Sequence, residues 1–206
     1  MSCSLVSDAM DRLGILGSAH GITPLVIGQR MVGCAYTIRY APCGKPAGTV
    51  GDYIDDVSPG TVIVLDNYGR TDCTVWGDIL TIVAASRGIA GTAINGVCRD
   101  IHKAIDVGYP IYSLGRFMRT GKDRVEVVEL GGTIVLGDVQ VRPNDLILGD
   151  DDGLVVVPRS HAAAIIDTAE EIGRREKSIT DDALKMKSLR DARAIHGYHT
   201  LQRFDG

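Results

Sequence analysis

Gly77-Asp78-Ile79-Leu80 places a glycine and a carboxylate at the start of a segment with helical apolar spacing, and 20 residues separate Asp78 from the pair Arg99-Asp100. At a helix start the free backbone N–H groups of Ile79 and Leu80 point at an incoming anion, and the helix dipole favours negative charge there. A guanidinium at Arg99 matches a planar carboxylate and its neighbouring carbonyl oxygen bidentately, which a lysine ammonium does less well. Asp78 and Asp100 add hard oxygen donors of the kind that hold Mg²⁺, with water and ligand filling the remaining positions. The plain alternative is an ordinary first-turn carboxylate at Asp78 and a surface ion pair at Arg99-Asp100, worth less than about 1 kcal/mol. Spacing alone favours that plain alternative.

Other chemistry-bearing residues are weaker candidates. His20, His102, His161, His196 and His199 share no metal-ligand spacing, and His102 reads as a helix-surface residue. Cys98 adjoins Arg99 but lacks a partner histidine in sequence reach, so it reads as a buried structural thiol. Asp150-Asp151-Asp152-Gly153 has the composition of a calcium loop without its ordered ligands or terminal glutamate, and reads as a turn. Trp76, the single tryptophan, is expected to pack under the site.

These residues need a scaffold. Ser7 to Leu16 suggests a short helix ending at Gly17, and Met31 to Ile38 and Thr61 to Leu65 read as strands, the second fully buried. Trp76 to Ser86 has helical spacing ended by Arg87-Gly88. Strand Ile89 to Asn95, helix Ile101 to Val107 and strand Pro110 to Leu114 continue a βαβ series with parallel pairing. Gly77 and Arg99 then sit at carboxyl ends of neighbouring strands, where open α/β sheets place ligands. Beyond Gly121 come five short β runs separated by turn residues. Ser160 to Met186 is an amphipathic helix with Ala163, Ile166, Ala169 and Ile172 on one face, and a polar, poorly patterned tail follows.

A chain of 206 residues with 45% hydrophobic and 23% charged residues fits one domain over residues 1–206, with the 160–186 helix expected to contact a neighbouring subunit. A net charge of -4 and the absence of Lys/Arg runs argue against nucleic acid as a partner. Five cysteines without paired short spacing suggest reduced, mostly buried thiols. No signal-peptide pattern and no apolar stretch of about 18 residues appear, so no membrane partner is expected and the cytoplasm is the expected compartment.

Asp78, Arg99-Asp100, Gly88-Ile89-Ala90-Gly91 and Asn95-Gly96-Val97-Cys98 together resemble the family of RraA-like proteins and class II pyruvate aldolases. The likeness extends to Val6-Ser7-Asp8-Ala9-Met10-Asp11-Arg12-Leu13-Gly14, Thr23-Pro24-Leu25, Gly33 to Thr37 and Asp150 to Pro158. It implies an α/β sandwich with a central mixed β core flanked by helices, assembled as a homotrimer or homohexamer. It implies a metal-dependent lyase that cleaves 4-hydroxy-4-methyl-2-oxoglutarate or 4-carboxy-4-hydroxy-2-oxoadipate to pyruvate and decarboxylates oxaloacetate. By the same resemblance Asp100 ligates Mg²⁺ or Mn²⁺ directly and Asp78 acts through a metal-bound water. Arg99 with Gly77, Ile79 and Leu80 binds the pyruvate moiety of a small 2-oxo acid, and Glu176 is supplied by an adjacent subunit. Asn95 departs from the family's usual Asp. The rival the family offers is a non-enzymatic regulator binding a ribonuclease or helicase, against which the intact Asp78, Arg99 and Asp100 set weighs. A quinone methyltransferase, a third label within the family, finds no glycine-rich strand-loop-helix here.

Overall fold

Short apolar runs punctuated by glycine and proline become a mixed sheet in the computed structural model, which describes residues 1–204. In chain order the elements are α1 (Cys3–Arg12), β1 (Thr23–Pro24), β2 (Met31–Pro42), β3 (Val62–Thr74), α2 (Asp78–Ser86), β4 (Gly91–Cys98), α3 (Ile101–Val107) and β5 (Ile111–Arg116). Then follow β6 (Val125–Leu130), β7 (Ile134–Leu136), β8 (Val139–Val141), β9 (Leu146–Asp150), β10 (Gly153–Val157), α4 (Ala162–Met186) and α5 (Leu189–Ile195). They fall into two compact units, Ser18–Arg159 and a helical one of Met1–Gly17 with Ser160 onward.

In the larger unit the strand order is β1-β5-β4-β3-β2-β9-β10, with β6 also on β2. β2, β3, β4 and β5 run parallel to their neighbours in that series; α2 and α3 carry the chain back from β3 to β4 and from β4 to β5, and the segment 43–61 does so from β2 to β3. β1, β6, β9 and β10 pair antiparallel. The central strand is apolar on both faces, as expected where a sheet is covered twice. Ile63 and Leu65 enter one core with Ala84 of α2 and Ala104 of α3, whereas Val62 and Val64 enter another with Ile134, Leu136, Val139 and Val141 of the β7–β8 ribbon. The fold is thus α/β, a central mixed sheet flanked by helices.

β3 runs on past Leu65 to Thr74, beyond the expected strand. Its pairing with β4 shifts register after Asp66 and again after Arg70, and Tyr68 takes a left-handed φ of 55°. Such irregularities re-aim a strand. The buried Asp66 carboxylate anchors this one, accepting from Asn95 Nδ2 at 3.0 Å, Tyr68 N–H at 3.0 Å and Val135 N–H at 3.2 Å.

The helical unit departs from expectation in three places. α1 is capped by Ser2, whose hydroxyl accepts from Leu5 N–H at 3.3 Å, and buries Cys3, Val6, Ala9 and Met10, leaving Leu16 89% exposed. A helix started at Ser7 would forfeit the burial of Cys3 and Val6. α4 buries Ile165, Ala169, Ile172 and Ile179, so Ala163 and Ile166 lie off the buried stripe. The polar tail forms α5, capped by Ser188 and tied to α4 by a 2.9 Å contact between His196 Nε2 and Asp182 Oδ2. Among the described residues no helix is long and apolar enough to cross a membrane.

Candidate functional site at two strand ends

The link from β3 to α2 is built around Trp76. Its ring is buried, lies parallel to Tyr109 with centroids 6.1 Å apart, and donates its indole N–H to Thr81 Oγ1 at 2.9 Å. Thr81 in turn donates to the Gly77 carbonyl at 2.9 Å, fixing the first turn of α2. The Trp76 carbonyl accepts from Arg99 N–H at 3.1 Å, so the start of the β4–α3 connection is stitched to the β3–α2 connection through main-chain atoms. Trp76 therefore lies under the site, as expected from its type.

At the surface of this frame the expected residues meet. Arg99 Nε lies 3.2 Å from Asp100 Oδ2, and that oxygen also accepts from Asp78 N–H at 3.4 Å. Ile79 N–H donates to Asp78 Oδ1 at 2.8 Å. The helix N-terminus is thus already facing two carboxylates, and Ile79 N–H reaches a ligand only once Asp78 turns away. Asp100 has φ 56° and ψ 36°, a left-handed conformation that Asp tolerates better than most residues. A Cβ on Gly77 would stand 3.0 Å from Asp100 Oδ2 and 3.2 Å from Arg99 Nε, so this close approach needs glycine.

Arg99 and Asp100 side chains are 38% and 32% exposed, which makes their ion pair a weak one, worth about 0–1 kcal/mol, and easy to open for a ligand. Both Nη groups of Arg99 are without a partner among the described residues. So are Asp100 Oδ1 and Asp78 Oδ2. Two carboxylates that form no cluster with cysteine or histidine among the described residues suit a cation that keeps waters, such as Mg²⁺. No cluster of three His, Cys, Asp or Glu ligands occurs among the described residues, so such an ion would lean on water and ligand oxygens.

A cavity of about 140 Å³ opens over Trp76, Gly77, Asp78 and Arg99, and its far wall is Val50, Thr120, Gly121 and Lys122. Lys122 and Thr120 were not among the expected site residues. They come from the connection after β5, which Thr74 N–H holds by a 2.9 Å bond to the Arg119 carbonyl. A Cβ on Gly121 would collide with the Thr74 carbonyl, so glycine admits this connection to the strand end. The signal was present: Thr120-Gly121-Lys122 follows a strand of the same parallel series.

The remaining candidates fall outside the cavity. Asn95 spends its amide on Asp66, a structural clasp, and His102 is exposed on α3. The Cys98 thiol is buried and pushed up to about 12 by that burial, against a hydrogen bond with Ser113 that lowers it. Cys3 and Cys73 are buried too, whereas Cys34 is exposed and Cys43 half-buried. Asp150 to Gly153 is the β9–β10 turn. Glu176 belongs to the helical unit. There Glu171 is taken up by Arg12 at 3.3 Å and Arg175 at 2.6 Å, while Glu176 forms no ion pair among the described residues. Its carboxyl is pushed up by burial first and by Asp8 second.

The chain is an α/β protein whose parallel βαβ core brings two carboxylates and a guanidinium together at adjacent strand ends. The family model described as RraA-like, Aldolase/RraA, matches residues 3–156, and the chain belongs to that family. Protein DlpA of Legionella pneumophila is 36% identical over 197 residues, 94% of this chain and 32% of that protein, so the chain spans about a third of that relative's length. A Halalkalibacterium halodurans protein named "Putative 4-hydroxy-4-methyl-2-oxoglutarate aldolase" is 33% identical over 189 residues, 89% of this chain and 87% of its own. The crystal structure of an uncharacterized protein from Pseudomonas syringae pv. tomato superposes with a TM-score of 0.86 at 41% identity, covering 94% of this chain and 92% of that one.

Proposed function

We propose that the chain is a divalent-metal-dependent lyase that splits 4-hydroxy-4-methyl-2-oxoglutarate or 4-carboxy-4-hydroxy-2-oxoadipate to pyruvate and decarboxylates oxaloacetate. The observation that carries the reading is the contact of Arg99 Nε with Asp100 Oδ2 beside the α2 N-terminus, with both Arg99 Nη groups open to a ligand. The Aldolase/RraA family and the aldolase name of a 33% identical relative agree with it.

In this reading the Arg99 Nη groups clamp the carboxylate and C2 carbonyl oxygen of the 2-oxo acid, with Gly77 allowing close approach and Ile79 and Leu80 N–H adding hydrogen bonds. Asp100 would hold Mg²⁺ or Mn²⁺ directly and Asp78 through water. When bound, that ion supplies Lewis-acid polarisation of the C2 carbonyl. Asp78 Oδ2 orients the water that takes the C4 hydroxyl proton. The C3–C4 bond breaks, its electron pair passes to C3 and O2, and the fixed positive charge of Arg99 stabilises the pyruvate enolate. Loss of CO₂ from oxaloacetate leaves the same enolate, so one site serves both reactions. The reading carries with it a homotrimer or homohexamer in the cytoplasm, with Glu176 offered to a neighbouring subunit.

The test is pyruvate release coupled to lactate dehydrogenase, from both substrates, with Mg²⁺, with EDTA, and with Arg99→Ala. Release abolished by EDTA and by the variant supports the lyase. No release from either substrate would turn the reading to a regulator that binds a ribonuclease or helicase.

A further inference from the structure

A second cavity, of about 330 Å³, lies on the other side of Arg99 and is lined by Arg99, Asp100, Ile101, Arg116, Phe117 and Met118. It is more than twice the size of the cavity over Gly77, and Arg99 borders both. Arg116 ends β5 directly opposite Cys98 in the β4–β5 pairing, and Phe117 N–H donates to the Cys98 carbonyl at 2.9 Å. Main-chain bonding thus fixes Arg116 opposite the residue that precedes Arg99, about 5 Å from Cys98 across the sheet. Its guanidinium has no ion-pair or hydrogen-bond partner among the described residues. Among the arginines without a carboxylate partner, it is the one that lines this cavity. The Phe117 ring beside it is covered by the Arg119 guanidinium, 5.6 Å from its centroid, while Met118 is 74% exposed.

We propose that Arg116 is the specificity-determining residue that selects 2-oxo dicarboxylic acids, binding the distal carboxylate of a ligand whose 2-oxo-acid end is held by Arg99. This rests on the reading of Arg99 given above and adds the residue that recognises the far end of the substrates named there. An unpaired guanidinium fork in a cavity matches a carboxylate in shape and charge. Ile101, Phe117 and Met118 supply the apolar wall for the carbons between the two ends. A ligand with an uncharged far end leaves Arg116 unpaired and forfeits one charge-assisted contact.

The test is calorimetric binding, with Mg²⁺ present, of 2-oxoglutarate and of 2-oxopentanoate, which carries a methyl group in place of the distal carboxylate. The full chain is expected to prefer 2-oxoglutarate by about ten- to a hundredfold, the worth of one charged pair. In Arg116→Gln the ratio falls to near one, and in Arg116→Lys it is intermediate because the charge remains and the fork is lost. A ratio near one in the unaltered chain, or a ratio unchanged in Arg116→Gln, overturns the proposal. Because the readout is a ratio within one preparation, partial unfolding of a variant does not imitate the effect. Failure of the Arg99 reading looks different: neither acid binds the unaltered chain, and both proposals fall together.

Discussion

Replacing Gly77 by alanine puts one methyl group where the two site connections come closest. Gly77 has φ -149° and ψ -165°, extended backbone that any residue adopts, so the substitution probes contact and not backbone strain. The new Cβ stands 3.0 Å from Asp100 Oδ2 and 3.2 Å from Arg99 Nε. Comfortable non-bonded contacts begin at about 3.5 Å, so the two side chains must retreat by about 0.3–0.5 Å. Both are partly exposed and can do so, which keeps the fold intact while the clamp moves. Alanine is a poorer helix cap than glycine by about 0.5–1 kcal/mol, and for a chain of this size that lowers the melting temperature by about 1–4 °C. A misplacement of about 1 Å at a reacting centre costs about a hundredfold in rate, so about tenfold in kcat/KM is expected here. Coupled pyruvate release and a thermal melt on the same preparation measure both. Unchanged kcat/KM with the predicted small melting shift would refute the reasoning, because the contacts of Arg99 and Asp100 would then be irrelevant to turnover. A melting loss above about 10 °C would instead show that Gly77 supports the fold.

Two further outcomes follow from single residues. Asp100→Asn keeps a residue suited to φ 56° and removes only the charge, whereas Asp100→Ala also pays about 1–2 kcal/mol for the left-handed backbone. Both should lose Mg²⁺-dependent pyruvate release, and the alanine variant should melt about 2–8 °C lower than the asparagine one; equal melting points would contradict the backbone assignment. Burial raises the Cys98 thiol from its ordinary 9.0 to about 12, so above the ordinary value the unfolded chain loses a proton that the folded chain keeps. Stability contributed by this group is therefore full below that value and falls as pH rises from about 9 towards 12, by at most about 1.4 kcal/mol per pH unit. At pH 8 iodoacetamide should label the exposed Cys34 and spare Cys98, and peptide mapping that found Cys98 alkylated in folded protein would count against the burial argument.

The sequence was most informative where local rules and tertiary contacts coincide. α3 occupies the expected Ile101 to Val107 because a left-handed Asp100 and a left-handed Gly108 bound it, and α2 ends where Arg87-Gly88 said it would. Parallel pairing of β3, β4 and β5 could be read from the alternation of strand and helix, and it places Gly77-Asp78 beside Arg99-Asp100. The chemistry assigned to that cluster came from family resemblance, since such pairs are common in any sequence. Less legible were features decided by distant partners. Where β3 continues past Asp66, Asn95 and Val135 satisfy its buried carboxylate. Arg116 and Lys122 join the site through β5 pairing and the glycine at 121, and neither leaves a periodic trace. α1 starts at Cys3 and not at Ser7 because Cys3 and Val6 are buried, which the residues from Ser7 onward do not reveal.

The bonds that hold the site connections in place, Arg99 N–H to the Trp76 carbonyl, Phe117 N–H to the Cys98 carbonyl and Thr74 N–H to the Arg119 carbonyl, are made by peptide groups that every residue except proline possesses on the donor side. Side chains at 116 to 118 can therefore be exchanged while the strand ends stay where they are. Substitution at these rim positions therefore changes the shape and charge of the second cavity without moving the strand ends that carry Asp78, Arg99 and Asp100.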